Sequence, residues 1–250
     1  AFEGAGIKFG MRATRGAIEE VSINHRTFEP MILTLGRSKP IGICGSGLID
    51  TVASLLETGM IDQKGKFRRN LQTDRVRNGP DGYEYVLVRK EETLIHEDIV
   101  LTEIDIENLI RTKAAIYAGC KVLLDSVGLG FGDVEQVIIA GGFGRHLDLE
   151  KAIFIGLLPE IEIEKFIFVG NGSLLGARLL SFSKNLLKEA ERIALMMTNL
   201  ELSNHPTFMN EFVAAMFLPH TDTSAFPLVG ERLYRMRKNY RSERMVETQL

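Results

Sequence analysis

Three glycine turns are the places where this sequence could do chemistry. Gly141, Gly142, Phe143 and Gly144 follow directly on the apolar run Val137–Ala140. A turn so poor in side chains lets backbone amides come within contact distance of a ligand and adopts φ > 0 at little steric cost. Gly45, Ser46 and Gly47 open an apolar pattern of helical spacing, and Gly170, Asn171 and Gly172 follow a second apolar run at 166–169 and open another helical pattern. At a helix N-terminus the unpaired amides and the positive end of the dipole favour an anion or a polar ligand group. The chemistry to expect is therefore capture of a nucleotide-like ligand by backbone. A purely structural reading stays open beside it: the 141–144 turn as a tight strand-to-helix connection, and the 45–47 turn as a small-residue helix start chosen for packing. Lys113 and Arg111 lie inside a long helical pattern, where they either snorkel to solvent or bring one cation to a ligand at the helix edge. Cys44 has no local His or Asp to activate it and reads as a buried structural thiol.

Other chemistries are excluded residue by residue. Each turn supplies GxG, but the third position of the dinucleotide fingerprint is bulky, Asp50 in the first case. The sequence holds no GxxxxGK[ST], no HExxH and no GxSxG, and its five histidines are scattered, which removes P-loop, zinc-hydrolase and nucleophile-elbow readings. A net charge of −3 argues against nucleic acid as a partner, since phosphate binding needs a basic face. No apolar run approaches the ~18 residues of a membrane span and no signal peptide is visible, so we expect no membrane partner. The two cysteines, Cys44 and Cys120, have no CxxC spacing, which suits a reducing cytoplasm and leaves no cysteine set for an iron–sulfur cluster. At 250 residues and 45% hydrophobic content the chain can bury one large core or two smaller ones. The glycine-rich start at Ala1 suggests a longer parent protein.

The elements that position these turns follow from pattern. Residues 1–16 read as loop, and residues 17–35 as two strands of a partly exposed sheet with His25 in the turn between them. An amphipathic helix follows the 45–47 turn and stops at Gly59. The polar stretch 62–96 carries an NGPDG turn between short strands, with Arg68, Arg69, Arg75 and Arg77 on a solvated face. Thr102 and Asp105 form a capping box ahead of Ile106, Leu109, Ile110, Ala114 and Tyr117. Ile116, Leu123, Leu124 and Val127 widen that helix's apolar face, predicting burial on more than one side before Gly128 ends it. The unbroken apolar run before Gly141 predicts a strand covered on both faces of a parallel sheet. Asp148 should cap a short helix ending by Gly156 and Pro159, and a βαβα alternation places ligand sites at the carboxyl ends of the strands. Residues 184–197 read as an amphipathic helix, a further helix precedes Pro219, and the tail from Glu231 reads as a frayed or exposed helix.

Read together, several stretches resemble a known family. IAGGFG at 139–144 looks like the adenosine motif of the actin, sugar-kinase and heat-shock-chaperone superfamily. With AFEGAGIKFGMRA (1–13), KPIGICGSGLID (39–50), TEIDIENLIRTKAAIYAG (102–119), AIFIGLLP, FVGNGSLLGA (168–177) and FVAAMFLPH (212–220), the chain resembles the C-terminal domain of ATP-dependent reductive activators of corrinoid proteins, in order and spacing, to about Pro227. The resemblance implies an α/β, actin-like (ribonuclease H-like) ATPase fold, the second half of the nucleotide clamp with a smaller α/β lobe inserted. It divides the chain into a smaller lobe at 1–101, a sheet lobe at 102–227 and a charged tail at 228–250. It implies ATP or ADP with Mg²⁺ as ligand, with Gly141, Gly142, Phe143 and Gly144 lining the adenosine, Gly45, Ser46 and Gly47 closing over it, and Lys113, Gly170, Asn171 and Gly172 nearby. Catalytic carboxylates and the electron-carrying iron–sulfur cluster would lie in a part of the parent protein outside this sequence. The partner implied is a corrinoid protein of a methyltransferase system in an anaerobe, restored to cobalt(I), with a homodimer as a further assembly. A small-molecule kinase of the same superfamily and a non-hydrolysing docking module are the alternatives.

Overall fold

The protein is described by a computed structural model over residues 4–142 and 147–247. The expectations for Phe143 and Gly144 thus lie outside the described residues. Strand β1 (Ala17–Ile23) is the middle of a first sheet, antiparallel to β2 (Pro30–Thr34) and parallel to β3 (Gly42–Ile43). A bulge between Ile18 and Glu20 resets the pleat, so that Ile18 and Val21, an odd number of positions apart, both enter the core. His25 lies in the exposed turn between β1 and β2, as expected.

Helix α1 (Gly45–Glu57) lies on β1 and differs from the expected amphipathic helix. Every residue from Gly45 to Leu56 is buried. The polar residues that suggested a wet face are hydrogen-bonded inside the protein instead. Thr51 Oγ1 donates to the Gly47 carbonyl at 2.6 Å, Ser54 Oγ donates to the Val21 carbonyl at 3.4 Å, and Asp50 accepts from the Val21 amide at 3.1 Å. A helix surrounded by protein can carry such residues because each buried polar group has found a partner.

The second sheet is a meander, β4 (Val76–Gly79), β5 (Gly82–Val88) and β6 (Ile99–Thr102). Its hairpin pairs Gly79 with Gly82 across Pro80 and Asp81, with Gly82 at φ +98. One of the arginines expected on a solvated face is not there: Arg75 is buried, its guanidinium donating to the Val86 carbonyl and the Glu29 carboxylate. Tyr85 Oη donates to the Phe28 carbonyl at 2.9 Å and joins the two sheets.

Strand β6 passes into α2 (Glu103–Ser126) without a loop, Thr102 serving as last strand residue and helix cap at once. The capping box is present: the Asp105 amide donates to Thr102 Oγ1 at 3.1 Å and the Thr102 amide to Asp105 Oδ2 at 2.9 Å. Asp105 Oδ1 also accepts from the Lys8 amide at 2.8 Å, holding the N-terminal loop against the helix. Burial on more than one side of α2 is present, but through other residues than expected: Ile106, Leu109, Ile110, Ala114, Ala118 and Val122 are buried, while the stripe Ile116, Leu123 and Val127 is exposed.

Strands β7 (Val137–Ala140) and β8 (Phe166–Gly170) pair in parallel, as the alternation required. They are not covered on both faces. Val137, Ile139 and Phe166 pack on the core, but Ile138 is 62% exposed and Phe168 and Val169 also face outward. Helices α4 (Gly172–Phe182) and α5 (Lys184–Met196) contribute no buried residue. Short α3 (Leu149–Phe154), capped by Asp148, buries Ala152, Ile153 and Phe154. Helix α6 (Phe208–Ala214) packs on α2, and α7 (Pro227–Glu247) begins before the expected tail and inserts Val229 and Leu233 into the core. One continuous apolar cluster runs from Ile7 to Leu233.

Candidate functional site

The parallel pairing of β7 and β8 brings two of the three glycine turns together. Ala140 is in register with Gly170, and the Gly141 amide donates to the Gly170 carbonyl at 2.6 Å. Gly141 and Gly170 adopt φ +109 and +65, conformations that side chains with a Cβ rarely take. Among the described residues, a Cβ built on Gly141, Gly142 or Gly170 would meet nothing within 4 Å. No described side chain demands these glycines. Gly172 sits closer in, its added Cβ lying 3.5 Å from that of Ala140.

Asn171 caps α4, its side-chain oxygen accepting from the Leu174 amide at 2.9 Å while its carbonyl accepts from Leu175 at 3.0 Å. Of the first-turn amides of this helix, those of Gly172 and Ser173 remain outside its own hydrogen bonds, as helix geometry requires. Two parallel strands, two glycine turns and a helix N-terminus thus converge at the carboxyl end of a parallel sheet, the position where α/β proteins place ligands. What the described residues of this arrangement can do is hold a flat or polar ligand by backbone.

The third turn is of another kind. Gly45, Ser46 and Gly47 are buried, and a Cβ on Gly47 would lie 2.2 Å from the Ile18 carbonyl oxygen. Close approach of α1 to β1 accounts for that glycine by packing. Cys44 is buried beside it, Sγ donating to the Ile18 carbonyl at 3.2 Å, which matches the structural thiol expected.

Lys113 does not snorkel to solvent. Its side chain is fully buried and Nζ donates to the carbonyls of Phe217 and Pro219. Burial brings its pKa down to about 7, since a low-dielectric surrounding penalises the ammonium. Nearby His220 is pulled below the usual histidine range, first by burial, and its Nε2 has no hydrogen-bond partner. Tyr117 and Phe226 pack around that ring.

One pair was missed by sequence reasoning. Asp50 on α1 and Lys151 on α3 meet at 2.7 Å, and Lys151 Nζ also donates to the Val21 carbonyl at 3.0 Å. Burial raises the Asp50 pKa, and the Lys151 ammonium and Val21 amide oppose it. The available signal was Asp50 itself, an acid among Leu48, Ile49 and Val52; nothing in LEKAIF marks Lys151. Among the described residues no group of three His, Cys, Asp or Glu is placed to hold a metal ion. A cleft of about 360 Å³ between the end of α1 and α7, lined by Leu56, Gly59, Ile61, Arg68 and Met236, includes none of the glycine turns at the strand ends.

Comparison with known proteins agrees with this geometry. The family described as the C-terminal domain of RACo, the ASKHA domain, matches residues 1–230. A corrinoid activation enzyme, RamQ, of Eubacterium limosum is 36% identical over 220 residues, 85% of this chain and 37% of that protein. A Methanosarcina barkeri reductase of the Co(II) methylated amine-specific corrinoid protein is 26% identical over 238 residues, 86% of this chain and 40% of its own length. A solved structure, a reductive activator for corrinoid, iron-sulfur protein, superposes with a TM-score of 0.85 at 52% identity, covering 90% of this chain and 36% of that one. The chain thus spans well under half the length of these relatives. The α/β actin-like fold expected from the sequence is borne out, and with residues 1–230 inside its bounds the chain belongs to the family of RACo C-terminal ASKHA domains.

Proposed function

We propose that this chain is the nucleotide-binding part of an ATP-dependent reductive activator that returns corrinoid proteins of a methyltransferase system to the cobalt(I) state. The observation that carries the reading is the pair of glycine turns at the ends of β7 and β8, with no Cβ-scale neighbour among the described residues at Gly141, Gly142 or Gly170. Such a surface fits the face and edge of an adenosine, which binds by contact and backbone hydrogen bonds. Lys113 would support the site indirectly, by holding the 217–219 segment. The buried turn at Gly45, Ser46 and Gly47 would act as the rigid head of α1.

The described residues fit the nucleoside better than the metal. Mg²⁺ takes carboxylates and phosphate oxygens, and no acidic cluster here is placed to supply them. In this reading the Mg²⁺ ligands, and the groups that position water on the γ-phosphate, come from the remainder of the longer polypeptide. So does the iron–sulfur cluster, because the two cysteines here are fewer than a four-thiolate set. The apolar residues left outward on β7, β8, α4 and α5 are the surface that this remainder covers. We place the protein in the cytoplasm; among the described residues no helix is long and apolar enough to cross a membrane.

The test uses the full-length protein with a cobalt(II) corrinoid protein and a low-potential reductant. The corrinoid spectrum should pass to cobalt(I) only when ATP is hydrolysed. Reduction at the same rate without ATP, or phosphorylation of a small molecule in its place, overturns the proposal. Sedimentation of the same protein reads whether it works as a homodimer.

A further inference from the structure

Many cations of this protein are matched with carboxylates. Lys8 stands 2.7 Å from Asp81, Arg77 2.9 Å from Glu84, Arg89 2.7 Å from Asp74 and Lys151 2.7 Å from Asp50. Arg12, Arg15, Arg37 and Lys39 take no part in the ion pairs of the described residues, and all four are exposed. The first sheet gathers them at one corner. The Gly16 amide donates to the Leu35 carbonyl and the Ile41 amide to the Gly16 carbonyl, both at 2.9 Å, so Gly16 is tied to both ends of the 35–41 turn. Arg12 follows a further tie, from the Met11 amide to the Ile43 carbonyl of β3 at 2.9 Å. The Arg15 stem crosses the turn, its Cγ 3.0 Å from the place of a Cβ on Gly36. Four positive charges thus share one corner of a protein whose net charge is −3. Arg37 is held at φ +49, directly after Gly36 at φ +73. The fold alone would be served better by glycine or asparagine there, so what the position supplies is the cation.

An apolar pair stands beside these charges. The Leu94 amide donates to the Pro40 carbonyl at 3.0 Å and brings up Leu94 and Ile95, 60% and 37% exposed. Their loop is closed from within by buried Thr93, whose Oγ1 lies 3.1 Å from the Lys90 carbonyl and 2.9 Å from the Glu97 carbonyl. The loop also carries exposed Glu91, Glu92 and Glu97, which form no ion pair with the four cations among the described residues. We propose that this corner, Arg12, Arg15, Arg37 and Lys39 around Leu94 and Ile95, docks an acidic face of the corrinoid protein. The proposal rests on the reading of the chain as part of a reductive activator. Like charges held together repel, and a carboxylate-rich surface relieves that repulsion, steers the encounter and fixes its orientation. The apolar contact is small, so the complex can part once the corrinoid is reduced.

The experiment uses the full-length protein and the cobalt(II) corrinoid protein. It measures their affinity, the rate of ATP-dependent reduction and the denaturation midpoint in the parent, Arg15→Glu, Lys39→Glu and Arg37→Asn. The parent's affinity for the corrinoid protein should fall about tenfold or more between ~0.05 and ~0.5 M salt. Each Glu variant should bind about tenfold more weakly than the parent at low salt and depend less on salt. At saturating corrinoid protein it should reach the parent's rate, and its ATP affinity should equal the parent's. Arg37→Asn, which suits the left-handed backbone, should keep or raise the midpoint while docking weakens severalfold; it serves even where a Glu variant does not fold. Folded variants that bind the corrinoid protein as the parent does overturn the proposal. So does a lowered midpoint with unchanged affinity, which would mean that the remainder of the longer polypeptide covers this corner. A parent without ATP-dependent reduction removes the proposed function, and this inference with it.

Discussion

The glycine turn at the head of α1 and the pair of turns at the ends of β7 and β8 look alike in sequence and are opposites in structure. At Gly47 the Ile18 carbonyl stands 2.2 Å from where a Cβ would be, whereas at Gly142 none of the described residues stands within 4 Å. One glycine is demanded by the protein's own backbone, and the other leaves room that no described residue fills. The contrast extends to their surroundings: α1 is buried along nearly its whole length, and α4 buries nothing. A glycine-rich motif therefore marks close approach in general. Only the space beyond the missing Cβ tells whether the approaching body is the same chain or a ligand.

The sharpest way to break this comparison is Gly47→Val. Its methyls meet β1 backbone that has no rotamer to yield, and overpacking of this kind should cost about 3 kcal/mol or more of unfolding free energy. A denaturant midpoint within error of the parent's would show that α1 does not lie as close to β1 as described.

Next in size is Lys113→Met, which leaves two buried carbonyls without their donor while removing a buried cation; a loss of about 1–3 kcal/mol is expected at neutral pH. It also carries a pH signature. The folded-state pKa of about 7 lies below the ~10.4 of an unfolded lysine. Between these values the unfolded chain holds the extra proton, so the parent's stability should rise with pH from about 7 to about 10, at no more than about 1.4 kcal/mol per pH unit. Unfolding free energies across that window, flatter in Lys113→Met than in the parent, check the sign.

Gly142→Val is the counterpart of Gly47→Val on the open side. No φ strain attaches to this position, and a Cβ there meets no atom of the described residues within 4 Å. Stability should change by less than about 0.5 kcal/mol, while nucleotide affinity of the full-length protein falls tenfold or more, about 1.4 kcal/mol. A folded variant with unchanged affinity removes the contrast. The two helix caps give a further contrast of the same kind. Thr102→Ala breaks a buried reciprocal box and should cost about 2 kcal/mol, whereas Asn171→Ala at an exposed cap should cost about 0.5–1 kcal/mol. Equal costs in paired melts would mean that the two helix starts are equally enclosed.

What the sequence disclosed, and what it concealed, follows the range of the interactions involved. The Thr102–Asp105 box is read within four residues and is present in full. The parallel pairing of β7 and β8 followed from alternation alone. The enclosure of α1 was hidden because Ser46, Asp50, Thr51 and Ser54 suggested water, and the partners of Asp50 and Ser54 lie on β1 and α3, far along the chain. The opposite error arose at β7. Its unbroken apolar run records the surroundings a strand requires, not which stretch of polypeptide supplies them, so Ile138 read as buried and stands exposed. Arg75 belongs with α1: an arginine among polar neighbours gives no sign that a remote Glu29 and the Val86 carbonyl will enclose it.

The passage from β6 to α2 at a single residue has a mechanical meaning. Thr102 is the last residue of the strand and the cap of the helix, locked by two reciprocal hydrogen bonds with Asp105, so the junction offers no slack about which strand and helix could swivel. Helix α2 is 24 residues long and extends about 36 Å at 1.5 Å per residue. It is a lever arm welded to its sheet. A tilt of the β4–β6 meander by a few degrees is magnified into a displacement of some ångströms at the far end, near Ser126, where the exposed Leu123 and Val127 would sweep with it.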